Sequence, residues 1–242
     1  MFDNDLALVH HLGFGFHADA CAPGILALLA PVRDRSGLVL ELGCGSGALT
    51  RHLIAAGHRV VATDASPAMV ALTLEHTPGV EDVRVLELPD DPLPAADAVV
   101  SVGHVLSYLP DAASIDRALA AVAAALRVDG VLALDLCDLH LAEARRHAPG
   151  YGWAEEDWAI ATRFEIPSPD RFVRHITTFL RNGDGTWRRD DERHDNVLLD
   201  TSQVPAVLQA HGVRATVSPA FGEEQLPAGI VAVTGHRVGA DL

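Results

Sequence analysis

The 242-residue sequence predicts an α/β protein built on a mostly parallel sheet covered on both sides, with an antiparallel excursion late in the chain. Two patterns carry that prediction. Between residues 37 and 137, short β-rich runs alternate with helical ones, as βαβ units do. After about residue 150, β-prone runs are joined by "PSPD" and by "NGDG", and Asn-Gly and Asp-Gly are hairpin turns. Internal repeats and low-complexity segments are absent from the sequence.

Two amphipathic stretches open the chain, about 3–12 and 19–31, separated by "GFGFH"; together, residues 1–36 read as an amino-terminal helical cover. A strand at 37–42 precedes a helix at 47–57, and a strand at 58–64 precedes a helix at 66–76. Gly57 closes the first helix, and Pro67 stands in the first turn of the second, as helix ends prefer. Strands at 82–88 and 97–103, an alanine-rich helix at 114–126 and a strand at 130–136 complete a core expected to span 37–150. The excursion, 151–200, contains "DWAIATRFEI", "RFVRHITTFL" and "TWRRDDERHDNVLL". Its charge cluster at 188–195 reads as a solvated strand face and turn. A closing unit, 201–242, holds a helix at 202–211 capped by Gly212 and two strands, "VRATVSPAF" and "GIVAVTGHR", with a non-helical link between them.

Charge narrows the function classes. With 33 acidic against 18 basic residues, the formal charge is −15, which repels phosphate backbones and anionic lipid; neither nucleic acid nor a membrane surface is expected as a partner. All 18 basic residues are arginine. Schiff-base lysines, Walker-type phosphate loops and Tyr-x-x-x-Lys dyads are therefore excluded. Cys21, Cys44 and Cys137 are odd in number and far apart, which suits a reducing compartment. The amino terminus lacks the apolar core of a secretory signal, and no apolar run approaches the roughly 20 residues that span a bilayer. A cytoplasmic protein is expected. No metal site is expected either: there is no His-Glu-x-x-His, and adjacent His10 and His11 cannot share one side of a helix.

The stretch "VLELGCGSGALT" (39–50) reads as a buried strand, a glycine turn and a helix, which lets backbone approach a cofactor closely. Glycines alone are ambiguous. The dinucleotide fingerprint needs a glycine at 48, where the chain has Ala48. Glu41 would repel a pyrophosphate but can meet the ammonium of an amino-acid tail. Asp64, ending the next strand, can accept bonds from both hydroxyls of a ribose, in NAD and S-adenosylmethionine alike. Met69 follows on the next helix, facing the place of an adenine ring.

Taken together, "VLELGCGSG", "VVATDASPAMV" and "DAVVSVGHVLSYL" resemble the successive motifs of class I S-adenosylmethionine-dependent methyltransferases, above all the small-molecule group. The resemblance covers about 37–137. It implies a Rossmann-like, doubly wound, seven-stranded sheet, mostly parallel with a carboxyl-terminal antiparallel hairpin. It implies S-adenosylmethionine as cofactor, with Glu41, Gly43, Cys44, Gly45 and Gly47 around the methionine and sulfonium. Asp64 would bind the ribose, Ala65 and Met69 would flank the adenine, and Glu87 and Leu88 would meet its edge. The family often has Asp and a small residue at that edge; "ELPDD" departs from this, leaving Glu87 and Asp90 as alternatives. Ser101, Val102 and His104 would face sulfonium and acceptor.

The implied activity is in-line methyl transfer to an O or N atom of a small-molecule acceptor by a monomer or homodimer. A NAD(P)-dependent oxidoreductase and a non-catalytic cofactor-binding domain are the alternatives. Histidine is the natural base near neutral pH, and among 13 of them His104 is best placed, just past the fourth strand, as a base or as a hydrogen-bonded histidine of a helix's first turn. Tyr108 can orient an acceptor or serve packing, and His17 can belong to the cover over the cofactor. Arg163, Arg174 and His175 punctuate the excursion, which reads as a lid that selects the acceptor or as a dimer interface; the three residues would suit an acceptor bearing a carboxylate or form an exposed polar strand face.

Overall fold

In the computed structural model, which describes residues 3–239, the chain opens with α1 (Asn4–Gly13) and α2 (Phe16–Asp34), set at 63° to each other across residues 14–15. Then follow β1 (Leu38–Leu42), α3 (Ala48–Ala55), β2 (Arg59–Asp64), α4 (Pro67–His76), β3 (Asp82–Val85) and β4 (Ala96–Ser101). A 3-10 turn (Val105–Tyr108) leads to α5 (Ala112–Ala125) and β5 (Leu126–Cys137). Next come α6 (His140–Arg145), β6 (Tyr151–Ala154), β7 (Trp158–Ser168), β8 (Arg171–Arg181) and β9 (Trp187–Val197). A second 3-10 turn (Thr201–Gln203), α7 (Val204–Ala210), β10 (Val213–Ser218) and β11 (Ile230–Arg237) end the described chain.

Seven strands form one sheet in the order β10-β11-β5-β4-β1-β2-β3. Only β11 runs against its neighbours, pairing antiparallel with both β10 and β5. β1 pairs in parallel with β2 on one side and β4 on the other, so strand order reverses there, and open α/β sheets bind their ligands beyond the carboxyl ends of the strands at such a point. The central strands read as near-continuous apolar runs because both faces are covered. Leu40, Leu42 and Leu134 pack with Ile115 and Leu119 of α5 and Leu208 of α7 on one face. Val39, Val60 and Val100 pack with Ile25 and Leu29 of α2 and Leu53 of α3 on the other.

β6 to β9 form a separate antiparallel sheet of four strands. α1 packs against it, burying Leu6 and Val9 among Trp158, Ile160, Ile176 and Leu180. On its other flank α1 reaches α4, where the rings of His11 and His76 stack 4.2 Å apart. The whole excursion leaves and re-enters the core at one neck. Leu139 N donates to Leu199 O at 2.9 Å, Leu199 N to Cys137 O at 3.0 Å, and Thr201 Oγ1 to the buried carboxylate of Asp138 at 2.5 Å.

Several boundaries differ from expectation. α2 begins at Phe16 rather than 19 and runs through Pro23 and Pro31, since Ile25, Leu29 and Val32 continue one buried face past both prolines. β6 escapes a sequence reading because its four residues are all exposed and show no alternation. α6, six residues without a side-chain cap, is equally silent. Among the described residues no single helix is long and apolar enough to cross a membrane.

Candidate active site

Three glycines turn the chain from β1 into α3 with φ of +66° at Gly43, +55° at Gly45 and +82° at Gly47, all in the region only glycine enters freely. Their tasks differ. A Cβ on Gly43 would lie 2.2 Å from Val105 Cγ2, and one on Gly47 would lie 2.5 Å from Thr77 Cγ2, so both permit close packing. A Cβ on Gly45 would meet nothing within 4 Å, and the same holds at Gly103 past the end of β4. These two positions lie past the carboxyl ends of the adjacent strands β1 and β4. Cys44 faces inward, its thiol 3.6 Å from Thr73 Oγ1, and burial holds its pKa well above the usual thiol value.

Glu41, one residue before the end of β1, is almost wholly buried, at 2% exposure, accepting a 2.7 Å bond from Thr50 Oγ1. Burial, reinforced by the nearby Asp64 charge, pushes its carboxyl up to about 8. Asp64 braces the turn: Oδ2 accepts from Gly45 N at 2.9 Å and Oδ1 from Ser66 N at 2.8 Å. Burial raises its pKa despite those two bonds. Ala65 is half-buried beside it, whereas Met69 is buried at 1% exposure. Glu87 and Asp90 are both exposed, and the loop is tied instead by Asp91, whose Oδ2 accepts from Glu87 N at 2.8 Å. Leu88 packs half-buried against the core. Ser101 is fully buried at the end of β4 and its hydroxyl has no hydrogen-bond partner.

Beyond β4, Gly103 (φ +98°) and His104 (φ +49°, ψ +42°) are both left-handed, a strained conformation for histidine. Asp135 holds them there. Its buried carboxylate accepts from Gly103 N at 3.1 Å and from His104 N at 2.6 Å, and lies 2.8 Å from His17 Nε2. Burial opposes charge on His17, but the bonds to Asp135 and Cys21 outweigh it and hold the imidazole up at about 10. His17 thereby ties α2 to β5. A Cβ on Gly15 would lie 4.0 Å from Ala48 Cβ, and Asp19 pairs with His52 of α3 at 2.7 Å. Sequence reasoning missed Asp135; the available signal was one carboxylate inside the apolar run "GVLALDL".

Side chains of the second sheet reach the segment that follows β4. Arg174 of β8 donates through Nη2 to Tyr108 Oη and, at 3.3 Å, to Asn196 Oδ1, and it lies 3.5 Å from His104 Nε2. The rings of His104 and Tyr108 stack 5.8 Å apart, and the guanidinium sits 5.4 Å from the Tyr108 centroid. Burial and then the Arg174 charge depress His104 to about 3, and the same two causes lower His10 to about 4. Burial raises the Tyr108 phenol.

The cluster at 188–195 is only half solvated. Arg189, Asp191, Arg193 and Asp195 face out, while His194, at 2% exposure, turns inward with its Nε2 2.8 Å from Glu192 Oε2. Alternation along β9 separates the two sets. Of the three excursion residues singled out by sequence, Arg174 alone reaches His104 and Tyr108. Arg163 and His175 are register partners on the outer face, where His175 pairs with Glu165 at 2.9 Å. Asp3, Asp190 and Glu192 bring carboxylate oxygens within 4.8 Å of one another at the rim of this sheet, an all-acidic group of the kind common without an ion.

Comparison with known proteins matches residues 40–132 to a family model described as "Methyltransferase domain". A protein from Geobacillus sp. (strain WCH70), provisionally named as a methyltransferase, is 25% identical over 190 residues, covering 74% of this chain and 75% of that one. The sugar N-methyltransferase KedS8 from Streptoalloteichus sp. superposes with a TM-score of 0.80 at 20% identity, over 99% of this chain and 95% of its own. A S-adenosylmethionine-dependent methyltransferase from Clostridium acetobutylicum superposes with a TM-score of 0.79 at 15% identity, over 98% and 99%.

Proposed function

We propose that this chain, which carries a methyltransferase domain on the class I S-adenosylmethionine-dependent methyltransferase fold, transfers a methyl group from S-adenosylmethionine to a nitrogen of a small-molecule acceptor. The supporting observation is the pair of left-handed glycines, Gly45 and Gly103, whose missing side chains leave open space past the carboxyl ends of β1 and β4. Around that space stand the donors and acceptors the molecule's three parts require. Asp64 keeps lone pairs for ribose hydroxyls beyond those used by Gly45 N and Ser66 N. Glu41, held near 8 when alone, would ionise fully beside the ammonium of the methionine end. The orphaned Ser101 hydroxyl offers a polar contact at the end of β4. Ala65 and the loop at Glu87 and Leu88 would border the adenine, with Met69 as buried support beneath.

When bound, S-adenosylmethionine supplies a sulfonium-borne methyl group that an acceptor lone pair displaces in line, with no acid needed at the leaving group. What distinguishes nitrogen from oxygen is the proton on the acceptor. A hydroxyl wants a base whose pKa lies near the working pH. His104, at about 3 and facing a guanidinium, is a hydrogen-bond acceptor rather than such a base. Asp135 is engaged by Gly103, His104 and His17. An amine needs only to arrive neutral, which this site permits. The likeness to KedS8, a sugar N-methyltransferase, agrees with that choice.

In this reading, of the described residues, 3–36 cover the cofactor, 37–150 and 201–239 form its platform, and 151–200 act as a lid that orients the acceptor. Calorimetric titration should give binding of S-adenosylmethionine and its demethylated product, and none of NAD. Turnover on matched amines and alcohols should methylate the amines. Tighter binding of NAD than of the product overturns the cofactor; methylation of alcohols alone overturns the acceptor atom.

A further inference from the structure

Arg174 brings a positive charge to the inner face of the second sheet, and its contacts, Tyr108 Oη, Asn196 Oδ1 and His104 Nε2, are all neutral. Among the described residues no carboxylate oxygen lies within 4.0 Å of this guanidinium. The chain has no shortage of carboxylates. On neighbouring β9, Arg188, Arg189 and Arg193 each pair with an aspartate. Glu192, on the inward face, is turned to His194, and Asp135 is engaged by its three donors. Two further donors are left over in the same place: Arg174 Nε and Asn196 Nδ2 are buried without partners. N–H groups withdrawn from water without partners are costly, and each one in a native fold calls for an explanation.

We propose that Arg174, assisted by Asn196, binds an anionic group, a carboxylate or a phosphate, carried by the methyl acceptor. Guanidinium suits such planar or tetrahedral anions because its fork of donors can meet two oxygens together. The position favours the acceptor as the source. Arg174 touches Tyr108 and His104, which follow β4, whereas the glycine turn and Asp64 lie beyond β1 and β2. The carboxylate of the cofactor's methionine end has the same chemistry, so the experiment must separate the two. The proposal takes the word acceptor from the methyltransferase reading; the anion site itself stands apart from it.

The probe is inorganic phosphate, titrated into the full chain alone and into the chain saturated with the demethylated cofactor product. Wild type should bind one phosphate in both states. Arg174→Gln should weaken that binding by about tenfold or more and Asn196→Ala by about threefold, with Arg174→Lys between them. Product affinity should stay within about twofold in every variant. Phosphate binding that is absent from wild type, or equal in wild type and Arg174→Gln, overturns the proposal. So does lost product affinity in Arg174→Gln with phosphate unchanged, which would assign the guanidinium to the cofactor. Should Arg174→Gln not fold, unchanged phosphate affinity in both Arg174→Lys and Asn196→Ala overturns it. If wild type binds phosphate but no cofactor product, the methyltransferase reading fails and the anion site remains.

Discussion

Removing the His17 imidazole should open a stability deficit whose size depends on pH in a specified direction. In the folded chain His17 is held at about 10 by its bonds to Asp135 and Cys21, against an ordinary histidine value of 6.5. A raised folded pKa means that the protonated ring stabilises the fold fully below about pH 6.5, that the contribution fades through the window up to about 10, and that it is gone above. At 1.36 kcal/mol per pKa unit, and with the imidazole only 22% exposed, the contribution is on the order of 3–5 kcal/mol. For a chain of this length that corresponds to roughly 10 °C in Tm. The assay is calorimetric or circular-dichroism melting of wild type and His17→Ala at about pH 6, 8 and 10. The deficit of the variant should be largest at the lowest pH and shrink steadily. A deficit that is the same at all three pH values would show that His17 contributes packing alone and that no charged pair fastens α2 to β5.

The cofactor side allows two sharper contrasts. Asp64→Ala should lose at least about tenfold in cofactor-product affinity and also lower Tm, since each backbone bond to that carboxylate is worth about 1.5–3 kcal/mol; an unchanged Tm with weakened binding would mean that Gly45 N and Ser66 N do not depend on it. Gly45→Ala should cost about 1–2 kcal/mol of stability, the price of a left-handed alanine, while its methyl group enters the open space past β1 and abolishes cofactor binding. Gly43→Ala, driven into Val105, should instead fail at the level of folding, and equal melting of the two variants would refute the division of labour between these glycines.

Sequence made the parallel sheet legible because its strands are buried on both faces and its crossovers are regular. The glycine turn was legible for a related reason: three glycines between a strand and a helix have few other uses. The two glycine tasks were not separable, since Val105 and Thr77 approach from far along the chain. Asp135 and His17, 118 residues apart, form a pair that no local pattern announces. Arg174 and His175 looked alike in sequence, and only the register of β8 sends one inward and the other to solvent. The cluster at 188–195 misled by composition, because a run of charges conceals the period of two that hides His194 and Asn196.

The neck at Asp138, Leu139, Leu199 and Thr201 fixes the two ends of the excursion against each other, whatever lies between them. For a chain segment closed in this way, doubling the length costs only about 0.6 kcal/mol of additional closure entropy. Insertions and deletions between α6 and β9 therefore leave the register of the seven-stranded sheet and the glycine turn untouched, provided that Leu6 and Val9 of α1 keep an apolar surface to rest on. The fold thus separates what must stay constant, the seven-stranded sheet with its glycine turn, from what can drift. A lineage carrying this neck can exchange the second sheet while the first keeps its register throughout.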